Sequence, residues 1–166
     1  MKRQSMKTLL VVLAIALVIP TYLLASDAAL GGIKLLPGYS VKRESTLDAS
    51  AWTIEKKGGP KIHFEAGPSE GAAADPKDEN RYSWYREQLV SGCKVRFALI
   101  KPGLKTVWEP DDGTDSEPGN ILLVSFLLEG ERSDYVANFS AKVRNPQELA
   151  DVLLMVMTFN PSKRTL

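Results

Sequence analysis

The feature that most restricts the fold of this chain is an alternation of apolar and polar residues after residue 36. Trp52 and Ile54 are separated by Thr53, and other segments repeat the pattern. A period of two is the side-chain period of a β-strand with one buried face. The pattern therefore predicts an antiparallel sheet. The strand segments that it predicts are 38–44, 52–55, 62–65, 82–90, 95–99 and 135–143, the last with polar Asn138, Ser140 and Lys142 between apolar residues.

Turn residues join these segments into hairpins. Residues 57–60 contain two adjacent glycines, and Ser91 and Gly92 form a two-residue connection. Glycine reaches positive φ without steric cost, as tight hairpin turns require. Residues 121–128 are apolar almost throughout, which is typical of an interior strand covered on both faces. A further short strand is predicted at 105–108.

The end of the chain has the spacing of an amphipathic helix. Asn145 is a favourable N-cap, Pro146 suits the first helical position, and Glu148 follows the cap by three residues. Apolar residues then recur every three or four positions and predict a deeply packed helix at about 146–159.

Strands followed by a helix indicate an α+β fold. The sequence predicts a single domain over 29–166, with an antiparallel sheet of about six strands packed by one buried C-terminal helix. Two segments interrupt the pattern. Residues 67–81 have the proline, glycine and charged residues of a long surface loop, and residues 109–119 form an acidic loop. Long loops are often functional.

Residues 1–28 are expected to be a signal peptide or an uncleaved N-terminal membrane-anchor helix. Basic residues precede an uncharged run over 8–26. This run, followed by small residues near Ala28, is the layout of a cleavable signal. Its 19 residues also approach the roughly 20 that a helix needs to span a bilayer. Both alternatives place the domain outside the cytoplasm, either periplasmic or secreted, or tethered by residues 8–26.

Composition excludes several classes of function. The chain carries 21 Lys+Arg against 20 Asp+Glu, so it has no excess of positive charge for a nucleic-acid partner. Cys93 is the one cysteine and His63 the one histidine, too few for a structural zinc site. We predict no cofactor and no nucleic acid, with membrane contact through the N-terminal segment if that segment is uncleaved.

Two candidate sites are weak. In a thiol–imidazole dyad of Cys93 and His63, the two side chains must lie within hydrogen-bonding distance, but the residues lie on different predicted hairpins. Carboxylates of the acidic loop offer oxygen ligands to calcium, yet the EF-hand spacing is absent and a solvated turn is the alternative. These carboxylates belong to Asp111, Asp112, Asp115 and Glu117.

The preferred binding surface is an aromatic and basic cluster formed by Tyr82, Trp84, Tyr85 and Arg86. Such residues are enriched at interface hot spots. Because Tyr82 and Trp84 share a strand parity, a core position for both is the alternative. The favoured function is a non-catalytic exported binding or accessory module for a protein or cell-envelope component. The alternative is a small exported hydrolase that uses carboxylates or the pair of Cys93 and His63.

Overall fold

A computed structural model describes residues 30–44, 50–68, 71–108, 119–128 and 135–161. Seven strands form one antiparallel sheet, and one α-helix follows the last strand, so the predicted α+β class is confirmed with seven strands instead of about six. Residues 1–28 lie outside the described residues. The elements are β1 (Ser40–Glu44), β2 (Ser50–Glu55), β3 (Ile62–Pro68), a 3₁₀ helix (Pro76–Arg81), β4 (Tyr82–Val90), β5 (Cys93–Ile100), β6 (Asn120–Leu128), β7 (Tyr135–Val143) and α1 (Pro146–Val156).

The sheet is assembled from two groups of strands that the last strand joins. Strand order is β1-β2-β3-β7-β6-β5-β4. The chain forms β1 to β3, crosses through residues 71–81 to the far edge at β4, and returns through β5 and β6 to β7. The central strand β7 then pairs with both β6 and β3. β6 is interior, and its residues from Ile121 to Phe126 are all buried, as the apolar run predicts.

Both predicted hairpins are confirmed. Residues 56–61, which include the predicted turn, connect β2 to β3, with Gly58 at a φ of 72°. Ser91 and Gly92 connect β4 to β5 with φ of 51° and 79°. Positive φ at both positions is the requirement of a type I′ turn, which matches the natural twist of the two strands.

One face of the sheet buries an aromatic cluster beneath α1. Phe64 and Phe139 stack across β3 and β7 with ring centroids 4.5 Å apart. Phe159, which follows the helix, packs edge-on against Phe126 at 4.8 Å. Val152 of α1 is also buried on this side. The core is therefore an apolar layer between the sheet and the helix.

The helix begins as predicted but is shorter. The Asn145 carboxamide oxygen accepts from the Glu148 backbone N–H at 2.9 Å, and the Glu148 carboxylate accepts from the Arg144 backbone N–H at 2.8 Å. The helix ends at Val156 instead of about 159, and the backbone N–H groups of Thr158 and Phe159 then donate to carbonyls three residues back instead of four. Val152, Met155 and Val156 are buried against the sheet, whereas Leu154 is 60% exposed, so the helix is buried along one face.

Two other predictions need correction. The strand predicted at 105–108 does not form, and these residues are irregular or in turns. The long loop over 67–81 is more ordered than its composition suggests, because β3 continues to Pro68 and residues 76–81 form the 3₁₀ helix. Ala73 and Ala74 are buried, since their short side chains let the backbone approach the sheet closely. None of the described helices is long and apolar enough to cross a membrane.

A buried tyrosine links β1 to the helix and makes stability depend on pH. The Tyr39 hydroxyl lies 3.4 Å from the Asp151 carboxylate, and burial together with that negative charge raises the pKa of Tyr39 to about 12. An unfolded tyrosine titrates near pH 10. Between about pH 10 and 12 the unfolded chain therefore loses a proton that the folded chain keeps, and stability that is fully present below pH 10 is lost.

We expect Tyr39→Phe to flatten this part of the stability profile. The wild-type free energy of unfolding should fall more steeply between about pH 10 and 12 than that of the variant, because phenylalanine has no proton to lose. Denaturant unfolding at several alkaline pH values measures both profiles. Burial also raises the pKa of Tyr82 and Tyr85, but these residues titrate in both proteins. Parallel profiles would contradict the role assigned to Tyr39.

A candidate binding cleft on the polar face

The second face of the sheet carries polar side chains that are buried. Asn138, Ser140 and Lys142 alternate along β7 with exposures of 7%, 2% and 6%, and Ser125 of β6 is fully buried beside them. Alternation in the sequence predicts which residues share this face, but it does not reveal what covers them. Residues 71–74 lie over part of it.

Asn138 and Ser125 hold the backbone of this covering segment. The Asn138 carboxamide oxygen accepts from the Ala73 N–H at 2.9 Å and from the Ser125 hydroxyl at 2.7 Å. The Asn138 side-chain nitrogen donates to the Gly71 carbonyl at 3.2 Å, and the Ser125 oxygen accepts from the Ala74 N–H at 3.0 Å. Buried polar groups are costly unless they are paired. Three of these bonds therefore fix residues 71–74 on the sheet, and the fourth joins Ser125 to Asn138.

Ser140, two residues along the same strand, lacks such a bond. Its hydroxyl is buried and has no hydrogen-bond partner among the described residues. An unsatisfied buried hydroxyl costs free energy that an alanine methyl group does not.

We therefore expect Ser140→Ala to raise the free energy of unfolding by about 0.5–1 kcal/mol. Denaturant unfolding of both proteins measures the difference. A loss of more than about 1 kcal/mol, which is the usual value of a made hydrogen bond, would show that the hydroxyl has a partner after all.

Tyr82 forms the floor beside this segment. Its hydroxyl accepts from the Asp75 backbone N–H at 3.1 Å, and its ring stacks on Tyr85 with centroids 5.8 Å apart. The side chain is 6% exposed, and this burial raises its pKa. Tyr82 thus supports residues 71–75 from below.

Residues 101–108 lie against the 3₁₀ helix and form the opposite wall. The Lys101 backbone N–H donates to the Arg81 carbonyl at 2.9 Å, and the Lys101 ammonium donates to the Asn80 carbonyl at 2.7 Å. The Arg81 guanidinium donates to the Lys105 carbonyl. Three bonds to backbone carbonyls thus connect the two segments.

A cleft of about 470 Å³ lies between these walls. Tyr82, Ile100 and Leu123 line it together with Trp108. Preformed ligand sites typically have volumes of about 300–1,000 Å³ and combine apolar walls with a few polar groups. Two charged residues also line the cleft and have no hydrogen-bond or ion-pair partner for their side chains among the described residues. These are Asp78 and Lys105.

The aromatic and basic cluster predicted from the sequence does not form one surface. Tyr82 pairs with Ile100 but Trp84 pairs with Leu99, so a β-bulge at Ser83 shifts the register between them. Tyr82 therefore faces the cleft side, whereas Trp84 faces the other side, where it contacts Phe97. The prediction that Tyr82 and Trp84 share a face is wrong for this reason.

The two remaining members of the cluster also separate. Tyr85 is half-buried and lies with Tyr82 on the polar face. Arg86 is exposed on the same side of the sheet as Trp84, whose side chain is 45% exposed. Trp84 and Arg86 thus lie along the outer edge of the sheet, away from the cleft.

Cys93 and His63 are not brought together. Cys93 packs beside the apolar core and its thiol donates to the Leu127 carbonyl at 3.0 Å. His63 lies on the polar face, with its Nδ1 3.4 Å from the Glu44 carboxylate. Their strands β5 and β3 are separated by β6 and β7, a spacing of about 14 Å at 4.8 Å per strand. Residues on opposite faces at this distance cannot form a dyad.

The calcium prediction falls on residues that the structure does not describe. Asp111, Asp112, Asp115 and Glu117 lie outside the described residues. Within the described part of the chain, no group of three or more His, Cys, Asp or Glu side chains is close enough to hold a metal ion.

Comparison with known proteins assigns no family to the chain. No family model matches it, and the searches of curated proteins and of solved structures returned no match. Any function proposed for it therefore rests on the geometry of its own residues.

Proposed function

We propose that this chain is an exported, non-catalytic binding domain that holds a segment of another protein in the cleft between residues 71–81 and 101–108. The observation that carries the proposal is the fixed wall. Asn138 and Ser125, which belong to the sheet, bind the backbone of residues 71–74. A preorganised site loses less conformational entropy when it binds, which favours affinity.

The chemistry of the cleft favours a protein segment as its ligand. Trp108 and Tyr82 offer aromatic surface, while Asp78 and Lys105 offer one negative and one positive charge. A peptide presents apolar side chains, charged side chains and backbone groups together, so it matches such a mixed lining. Val107, which also lines the cleft, is 95% exposed and is available to an incoming ligand.

Binding is preferred to hydrolysis because of where the reactive groups lie. Cys93 and His63 are on opposite faces of the sheet. Neither lines the cleft. Asp75, the other carboxylate in the lining, accepts from the Lys77 backbone N–H at 3.0 Å as the cap of the 3₁₀ helix.

Export is supported by the sequence of residues 1–28, with its basic start and uncharged run. We expect the exported protein to begin near residue 29 if the segment is a signal, and at Met1 if it is an anchor. Mass spectrometry of the N-terminus in exported and membrane fractions distinguishes these outcomes. A full-length chain in the cytoplasmic fraction would contradict export.

A photo-crosslinking residue in place of Val107 tests the proposed cleft in living cells of the source organism. The full-length chain should form a discrete protein adduct from this position. The same residue in place of Leu154, which is 60% exposed on α1, serves as the matched control and should give no such adduct. Absence of an adduct from the Val107 position, or identical adducts from both positions, would contradict binding in the cleft.

A further inference from the structure

Strand β4 is an edge of the sheet with backbone groups that are available for pairing. In the described sheet it has a neighbour, β5, on one side only. Val90 and Cys93 flank the two-residue turn and therefore exchange hydrogen bonds with each other. Because such pairs alternate along an antiparallel ladder, Tyr85, Glu87 and Leu89 point their N–H and C=O groups away from β5.

Two side chains on this edge are also available for an intermolecular contact. Trp84 is 45% exposed and touches Phe97 with part of its ring. Arg86 is exposed, lies on the same face, and has no ion pair or side-chain hydrogen bond among the described residues. Glu87 differs, because Arg96 at 3.0 Å and Lys94 at 3.6 Å already neutralise it. An exposed aromatic ring and an exposed guanidinium are thus two residues apart on one face of the sheet.

The spacing of these residues is self-complementary. When two copies of a strand pair in antiparallel fashion, residues directly opposite each other lie on the same face of the sheet. Neighbouring residues of one strand lie on opposite faces, so they cannot stand opposite each other. The two-fold axis therefore passes between the two copies of one residue. An axis at Arg86 would place arginine opposite arginine, which is destabilising. An axis at Glu87 would place Arg86 opposite Gln88, so Arg86 would not meet an aromatic ring. An axis at Tyr85 instead places Trp84 of each copy opposite Arg86 of the other.

We infer that this chain forms a dimer by pairing β4 with β4 of a second copy, centred on Tyr85. The two Tyr85 residues then exchange backbone hydrogen bonds at the axis. Trp84 and Arg86 form the flanking pairs that are not hydrogen-bonded, where opposite side chains approach most closely. Each of these two pairs is a cation–π contact. The two seven-stranded sheets become continuous.

The features that protect this edge restrict the ways in which it can pair. Bulges and charged residues on an edge hinder pairing with other strands. The charge of Arg86 disfavours a register that places two copies of this residue opposite each other, and the bulge at Ser83 ends the regular part of β4. Trp84 and Arg86, which make the side-chain contacts of the dimer, lie on the face opposite the cleft, so loss of these contacts would leave the proposed binding function untouched.

Single cysteines in the full-length chain test the register directly, in a Cys93→Ala background inside cells. Tyr85→Cys should give a disulfide-linked dimer on a non-reducing gel, because opposed Cα atoms about 5.5 Å apart are within the range of disulfides. Glu87→Cys is the matched control and should stay uncrosslinked, because it lies opposite Ser83 of the second copy. A crosslink from Glu87→Cys, or none from Tyr85→Cys, would overturn the register.

The contribution of Arg86 is tested without a crosslink by sedimentation of the detergent-solubilised full-length chain. Arg86→Glu should weaken the dimer about tenfold, since two cation–π contacts are lost. Arg43→Glu makes the same charge change on exposed β1, the other edge, and should leave dimerisation unchanged. A monomeric wild-type chain, or equal weakening by both variants, would overturn the proposal.

Discussion

Replacement of Phe159 with alanine is expected to lower the free energy of unfolding by about 3–5 kcal/mol, the usual cost of removing a fully buried aromatic ring. The ring is 0% exposed and packs edge-on against Phe64 at 5.6 Å, Phe126 at 4.8 Å and Phe139 at 5.4 Å. It thereby connects the segment after α1 to three strands of the sheet. Denaturant unfolding of the wild-type chain and the variant measures the loss.

Leu154→Ala is the matched control, because Leu154 lies on α1 but is 60% exposed. This variant should change the free energy of unfolding by no more than about 0.5 kcal/mol. If Phe159→Ala were as mild as Leu154→Ala, Phe159 would not be part of the core.

Asn138→Leu is expected to lower the free energy of unfolding by about 2–4 kcal/mol, although it replaces a polar side chain on a buried strand with an apolar one. Leucine cannot accept from the Ala73 N–H or donate to the Gly71 carbonyl, so both backbone groups lose these hydrogen bonds. The Ser125 hydroxyl loses its acceptor as well. Denaturant unfolding measures the cost, and the adduct from the crosslinker at Val107 should weaken in this background.

Asn80→Leu controls for the chemical change itself, because Asn80 is exposed on the 3₁₀ helix. It should alter stability by no more than about 0.5 kcal/mol. An Asn138→Leu variant as stable as the wild-type chain would show that residues 71–74 do not depend on the hydrogen bonds to the sheet.

The parts of the fold that the sequence predicted correctly are those determined by neighbouring residues. The turn at Ser91 and Gly92 depends on the φ angles that these two residues adopt. The start of α1 depends on the Asn145 side chain and an N–H three residues away. Such interactions involve residues close together in sequence, so pattern and residue type are sufficient to find them.

The parts that were missed depend on contacts between distant residues. Asn138 binds Ala73, which is 65 positions away in the chain, so nothing near Asn138 indicates its role. The bulge at Ser83 is a one-residue change in the register of β4 against β5. Alternation counted without this bulge therefore predicts that Tyr82 and Trp84 lie on one face. Sequence alternation identifies strand faces, but it assumes that a strand has no bulge.

The sequence did not predict the cleft. It indicates a surface loop at 67–81, and residues 71–81 of this segment supply one wall. The other wall, residues 101–108, was expected to contain a strand. Its contacts with Arg81 and Asn80 end on backbone carbonyl groups, which every residue carries and which therefore leave no signature in the sequence. The juxtaposition of Asp78 and Lys105 follows from those contacts.

The central claim is that residues 71–74 form a fixed wall of the cleft before any ligand binds. Amide hydrogen exchange of the ligand-free chain at Ala73 and Ala74 tests it most directly, because both N–H groups donate to buried side chains of the sheet. Both amides should exchange slowly, with protection like that of β6 and β7, and should lose that protection in Asn138→Leu. Exchange of both amides in the wild-type chain at the rate of an unstructured peptide would contradict the claim.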